Sequence, residues 1–214
     1  MPSYEGKIHW LTVTSLLRLE SPCLVSFKVV PRRRIDKARN SLAWDMLNKG
    51  YDYLLFIDDD NPVPPDTITK LLEDDKDIVT TPILARRPNK DGTYGLCAYY
   101  GKSYNGVRLY NSIGKFRDKG YLHRIDNCGM GCTLIKRKVL ETLNKKYGYI
   151  FEFGDIELDP PITVGSETYR RRTMSEDMEF GERAIDAGFE IWLDERVIPV
   201  HLGESQYLQW SKNG

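Results

Sequence analysis

The sequence predicts an α/β fold built on an open, mainly parallel sheet, and three observations point there. Helical and strand patterns alternate through the first half, as in chains that cross back over a parallel sheet. The run Tyr53-Leu54-Leu55-Phe56-Ile57 is continuously apolar, which suits a strand covered on both faces. The length, 214 residues, fits a single domain with a substantial core.

The elements follow in order. Residues 7–19 place Trp10, Val13, Leu16 and Leu17 at helical spacing, which predicts a helix. Residues 24–30 are rich in β-branched side chains and end at Pro31, which predicts a strand. Ile35, Ala38, Leu42 and Met46 form the apolar stripe of a second helix over 35–49, with Gly50 as its cap. The strand 53–57 then stops at Asp58-Asp59-Asp60-Asn61-Pro62. Pro64 and Pro65 open a short helix ending near Leu72, and 77–84 reads as a strand. Residues 86–126 are rich in Gly, Tyr, Asn and Lys. Hairpins are expected there, with strands near 97–100, 107–110 and 122–125. A strand over 131–135 runs into a helix over 137–146. Residues 154–172 read as a mobile polar loop. A helix over 175–187 and short strands at 190–193 and 197–200 lead to His201.

Lys and Arg together number 31, as do Asp and Glu, with 3 His. This balance argues against a dedicated nucleic-acid binder. The triplet Arg32-Arg33-Arg34 reads as a solvated loop or a local basic patch. Cys23, Cys97, Cys128 and Cys132 lack zinc-ligand spacing and read as reduced thiols of a cytoplasmic protein. No signal peptide is legible at the N-terminus, and no apolar stretch is long enough to span a membrane.

Three aspartates closing a buried strand repel one another and lose solvation. A divalent cation removes that penalty, and hard carboxylate oxygens suit Mg²⁺ or Mn²⁺ when a diphosphate completes the shell. The C-terminal ends of strands are where open α/β sheets bind ligands. If the chain stays extended, Asp58 and Asp60 share one side and Asp59 points away. The competing account is turn chemistry, since Asp-Asn-Pro starts turns and caps helices.

Ala38-Arg39-Asn40, followed by the 53–57 strand, the aspartates and a Pro-rich helix start, resembles the GT-A glycosyltransferases, particularly glycosyltransferase family 2. Gly129-Met130-Gly131-Cys132-Thr133 resembles that family's small-residue segment by the acceptor site. Ser175-Glu176-Asp177-Met178-Glu179-Phe180 resembles its "ED" motif, and Ala187-Gly188-Phe189-Glu190-Ile191 the usual continuation. The resemblance implies a UDP- or GDP-linked sugar donor, a Mn²⁺ or Mg²⁺ ion on its diphosphate, and a glycan or other hydroxyl acceptor. It implies that Asp58, Asp60 and His201 are metal ligands, and that Pro2, Ser3, Tyr4, Arg39, Asp58 and Asp59 bind the donor. Residues 1–85 would form the nucleotide- and metal-binding half, and residues 86–214 the acceptor side. Further copies of the chain are conceivable partners.

Asp177 is the implied general base, with Asp at the first helical turn kept ionised by the helix dipole. Thr173 and Glu176 have capping-box spacing, which assigns Glu176 to the cap and leaves Asp177 free. The bland alternatives are a strand-end histidine for His201 and dipole complementation for Asp177. Met1-Pro2-Ser3-Tyr4-Glu5-Gly6 resembles the family's nucleotide-base loop, but the first strand before it is expected to be missing. The acidic segment that helps read the base is replaced by Val30-Pro31-Arg32-Arg33-Arg34. Two other readings compete. One is a metal-dependent nucleotidyltransferase or phosphohydrolase, with further carboxylates converging on the metal. The other is a non-catalytic or partner-dependent module that binds nucleotide-sugar.

Overall fold

The computed structural model describes residues 1–89, 91–202 and 207–209. In chain order the elements are β1 (Pro2–Ser3), α1 (Trp10–Leu16), β2 (Val30–Pro31), α2 (Ile35–Lys49), β3 (Tyr53–Ile57), α3 (Thr67–Glu73) and β4 (Ile78–Thr80). Then come β5 (Ala98–Tyr104), β6 (Val107–Ser112), β7 (Leu122–Ile125), β8 (Asn127–Cys128), β9 (Cys132–Lys136) and α4 (Arg137–Tyr147). The chain continues through β10 (Gly154–Val164), β11 (Glu167–Met174), α5 (Glu176–Asp186), β12 (Ile191–Asp194), β13 (Val200–Leu202) and β14 (Tyr207–Gln209).

The fold is α/β, but its central sheet is mixed, which corrects the expectation of a mainly parallel one. Five strands lie in the order β3-β9-β4-β12-β7. Only β4 and β12 pair in parallel; β9 is antiparallel to both β3 and β4, and β7 to β12. The reason is the route into β9. A parallel neighbour needs a crossover, commonly a helix. The chain reaches β9 through β5 to β8 instead, so it returns in the opposite sense.

Side-chain alternation gives the sheet two apolar faces. Phe56, Ile135, Ile78, Ile191 and Ile125 pack with Ala38, Leu42 and Met46 of α2, Leu140 and Leu143 of α4, and Phe180 of α5. Ile57, Leu134 and Val79 pack the other way, with Leu71 of α3 and Leu16 of α1. The apolar stripe read for α2 is the one that is buried, and Gly50 caps it with φ 74°. That left-handed backbone suits glycine.

Three local expectations are corrected. The run 24–29 forms no strand, and only Val30–Pro31 pairs, in parallel with Pro2–Ser3. That pairing also supplies a two-residue strand where the first strand was expected to be missing. Residues 154–172 lie in a long hairpin, β10 against β11, turned at Gly165 with φ 61°. Finally, 197–199 stay outside β13. Among the described residues no helix is long and apolar enough to cross a membrane.

Candidate functional site

The aspartate cluster sits where β3 leaves the sheet. Asp58 N–H still donates to Gly131 O (3.0 Å), continuing the ladder with β9. Asn61 N–H then folds back onto Asp58 O (3.1 Å), so the chain turns over the aspartates. Gly131 permits this close approach: a Cβ there would collide with the side chains of Asn61 and Ile83. The turn ends the extended conformation that would have kept Asp58 and Asp60 together. The two carboxylates accordingly face different partners. Asp59 O accepts from His9 N–H and Asp60 O from Leu202 N–H, both at 3.0 Å.

Asp60 meets His201. Its Oδ2 lies 3.4 Å from His201 Nε2. His201 Nδ1 lies 2.6 Å from the carbonyl of Leu84. A carbonyl can only accept, so Nδ1 carries the proton and Nε2 keeps its lone pair. Burial lowers the histidine's pKa and so favours the neutral ring, partly offset by the Leu84 hydrogen bond. Arg86 donates its Nε to His201 Nε2 (3.0 Å) and ion-pairs with Asp60 through Nη2. One guanidinium therefore occupies the lone pairs of both groups.

An imidazole nitrogen held by a backbone carbonyl, beside a carboxylate, is a donor set that fits Mn²⁺. Among the described residues no third His, Cys, Asp or Glu joins the pair.

Asp58 meets Arg39 instead. The Arg39 guanidinium is buried, with Nη2 3.3 Å from Asp58 Oδ1 and Nε 3.3 Å from Glu176 Oε1. Burial pushes the Asp58 carboxyl up, while Arg39 opposes it and Asp177 adds to it. Glu176 is likewise pushed up by burial, to about 7, against the pull of Arg39. This overturns the capping box. Thr173 belongs to β11, the residue before α5 is Ser175, and Glu176 turns inward to Arg39.

Asp177 stands next to this group. Its Oδ1 accepts from Ser175 Oγ and from Met178 N–H (2.8 Å). Its Oδ2 lies 3.6 Å from where a side chain on Gly129 would begin. Gly129 thus leaves room in front of the carboxylate. Cys97 borders the same space, its thiol raised to about 11 by burial and then by Asp177 and Asp58. A thiol so protonated is no nucleophile at neutral pH. All four cysteines are free.

Pro2 and Ser3 form β1, which pairs with Val30–Pro31. The Met1 amino group, lowered by burial to about 5, is within electrostatic reach of Asp58, Arg39 and Asp59. Ser3 is buried, with its hydroxyl donated to Lys7 O (2.7 Å), whereas Tyr4 is exposed. Of the arginine triplet, Arg34 grips Asp36 through two 2.6 Å hydrogen bonds. The sequence reading missed Arg86 and the Arg39–Glu176 contact. The one available signal was the position of Arg86 just past the strand 77–84, at a second strand end.

No protein-family model and no curated protein matches this chain. Among solved structures it resembles the crystal structure of A197 from STIV, with a TM-score of 0.55 and 17% identity, covering 97% of this chain and 86% of that one. At that identity the likeness concerns the fold alone.

Proposed function

We propose that this chain is a metal-dependent glycosyltransferase of the GT-A type, moving a sugar from a nucleotide-diphosphate donor to an acceptor hydroxyl. The observation that carries the reading is the facing pair Asp60 Oδ2 and His201 Nε2, 3.4 Å apart. Asp60 follows the C-terminal end of β3, and His201 comes from β13, which belongs to the separate β13–β14 pair and is tied to the 60–62 turn by backbone hydrogen bonds; strand ends are where α/β sheets bind ligands.

Asp60 and His201 would hold a Mn²⁺ or Mg²⁺ ion, with Arg86 displaced from between them. Bound there, the ion would neutralise charge on the departing diphosphate. Arg39 is fixed between Asp58 and Glu176, which keeps Asp58 aimed at the donor side. Asp58 suits a ribose hydroxyl, and exposed Tyr4 offers a face to the base. Asp177 Oδ2 receives the acceptor's proton as the acceptor oxygen bonds the anomeric carbon. The bond from that carbon to the diphosphate breaks, and nucleoside diphosphate leaves. A base opposite the leaving group gives inversion. The division of carboxylates favours this over a phosphohydrolase: Asp58 and Glu176 go to Arg39, and Asp60 goes to His201.

Asp177→Asn is expected to lower turnover by about 10²–10⁴-fold while leaving Mn²⁺-dependent UDP or GDP binding intact. Asp60→Asn and His201→Ala are expected to abolish that binding, measured by calorimetry. Unchanged turnover in Asp177→Asn would remove the base assignment, and unchanged binding in the other two would remove the metal site.

A further inference from the structure

Helix α1 packs Leu16 against the core but leaves a second apolar side uncovered. Its buried position is Thr12, whose hydroxyl oxygen finds no hydrogen-bond partner. Ser15 also faces the protein, accepting from Val63 N–H at 3.2 Å. The outer side carries Trp10, Val13 and Leu17, the last 83% exposed. The chain then runs through Leu24, Val25 and Phe27, with Leu24 fully exposed and the segment outside any strand. Among the described residues, four of the five exposed valine, leucine and isoleucine side chains are Val13, Leu17, Leu24 and Val25; the fifth is Ile156. Such a concentration marks an interaction surface.

Charge identifies what covers it. Residues 7–34 carry six cations (Lys7, Arg18, Lys28, Arg32, Arg33, Arg34) against one anion, Glu20, a net of +5 in a chain whose total is +0. Arg18, Arg32 and Arg33 make no ion pair among the described residues. A second copy docking face to face would set this cationic stretch against itself. One stretch of chain thus combines the exposed Trp10, Leu17, Leu24 and Phe27 with the exposed Arg18, Arg32 and Arg33, the composition of an interface where acyl chains lie beneath anionic headgroups.

We propose that α1 and the 24–27 segment dock this protein on an anionic bilayer surface. The donor site lies close by, since His9, the residue capping α1, donates its N–H to Asp59 O. The surface assignment holds whatever reaction that site performs.

The test is co-sedimentation with phosphatidylcholine vesicles, with and without phosphatidylserine as a minor component. The full chain is expected to pellet with the anionic vesicles and to bind at least about tenfold more weakly without phosphatidylserine or in high salt. Leu17→Ser/Leu24→Ser/Phe27→Ser alters exposed positions only. It should keep the parent's thermal melt and stay in the supernatant. Arg32→Gln/Arg33→Gln should weaken binding about tenfold and flatten its salt dependence. A parent that ignores anionic vesicles overturns the proposal. So does an apolar triple variant that pellets like the parent, or a parent dimer that the triple variant turns into monomer.

Discussion

At the scale of single residues the site depends on Arg39 being shared. One buried guanidinium faces Asp58 and Glu176, each at 3.3 Å, with Asp177 adjacent. Burial pushes the Glu176 carboxyl up, Arg39 opposes it, and the neighbouring Asp177 and Asp58 add to it. The Glu176 carboxyl is raised from 4.5 to about 7. Between those values the folded chain binds more protons than the unfolded chain. The stability Glu176 contributes is therefore full below about 4.5 and lost as the pH rises through about 7. Asp74 is also raised to about 7, by burial and by Asp194, and acts in the same window. The difference between parent and variant is thus the readout. Glu176→Gln is expected to flatten the fall in stability across that window, followed by urea unfolding at its two ends. An unchanged slope would mean that Glu176 does not titrate there. The sequence could show that Glu176 and Asp177 begin a helix. It could not show that Glu176 reaches a residue 137 positions earlier (176 against 39), because local spacing carries no such information.

At the scale of elements, Asn40 decides how α2 sits. Its side chain is fully buried and accepts from Ile150 N–H (2.9 Å) and Phe151 N–H (3.1 Å). Its Nδ2 donates to Phe151 O (2.6 Å) and Asp36 O (2.8 Å). This fastens α2 to the segment after α4, whose Phe151 ring packs edge-on to Phe56 and stacks on Phe180. Arg39, the residue just before it, is thereby held over the end of β3. Asn40→Ala would orphan several buried backbone groups, each costing about 1–3 kcal/mol. A loss of about 3 kcal/mol or more is expected, seen as a lower urea midpoint at constant slope. A loss below about 1 kcal/mol would deny the residue this role. The helix itself was legible from its 3.6-residue stripe, because burial of one face is what that stripe records. The hairpin β10–β11 was not. Most of its residues are exposed on both faces, so it lacks the one-sided apolar alternation that announces a strand. The run 24–29 shows the opposite failure: strand propensity is a weak guide where no partner strand lies alongside.

At the scale of the whole molecule, alternation of helix and strand correctly indicated layers, with apolar helices on both faces of one sheet. It could not give strand direction, since β9 enters between β3 and β4 after an excursion through β5 to β8. That excursion brings Gly129 and Gly131 to the aspartates. The site is therefore assembled from β3, β9, α2, α5 and β13, and a ligand bridging them stabilises all of them together. A ligand that binds only the folded chain adds about 2.7 kcal/mol at a hundredfold excess over its Kd. For a chain of this size that corresponds to a rise in Tm of about 5–10 °C. UDP or GDP with Mn²⁺ is expected to give a shift in this range. Mn²⁺ alone should give much less, because Asp60 and His201 supply only two ligands and Arg86 competes for both. Adding a chelator should return the nucleotide-bound melt to that of the free chain. A nucleotide shift that survives the chelator would show that the donor binds without a metal. Asp60 and His201 would then have to be read as partners of Arg86 alone.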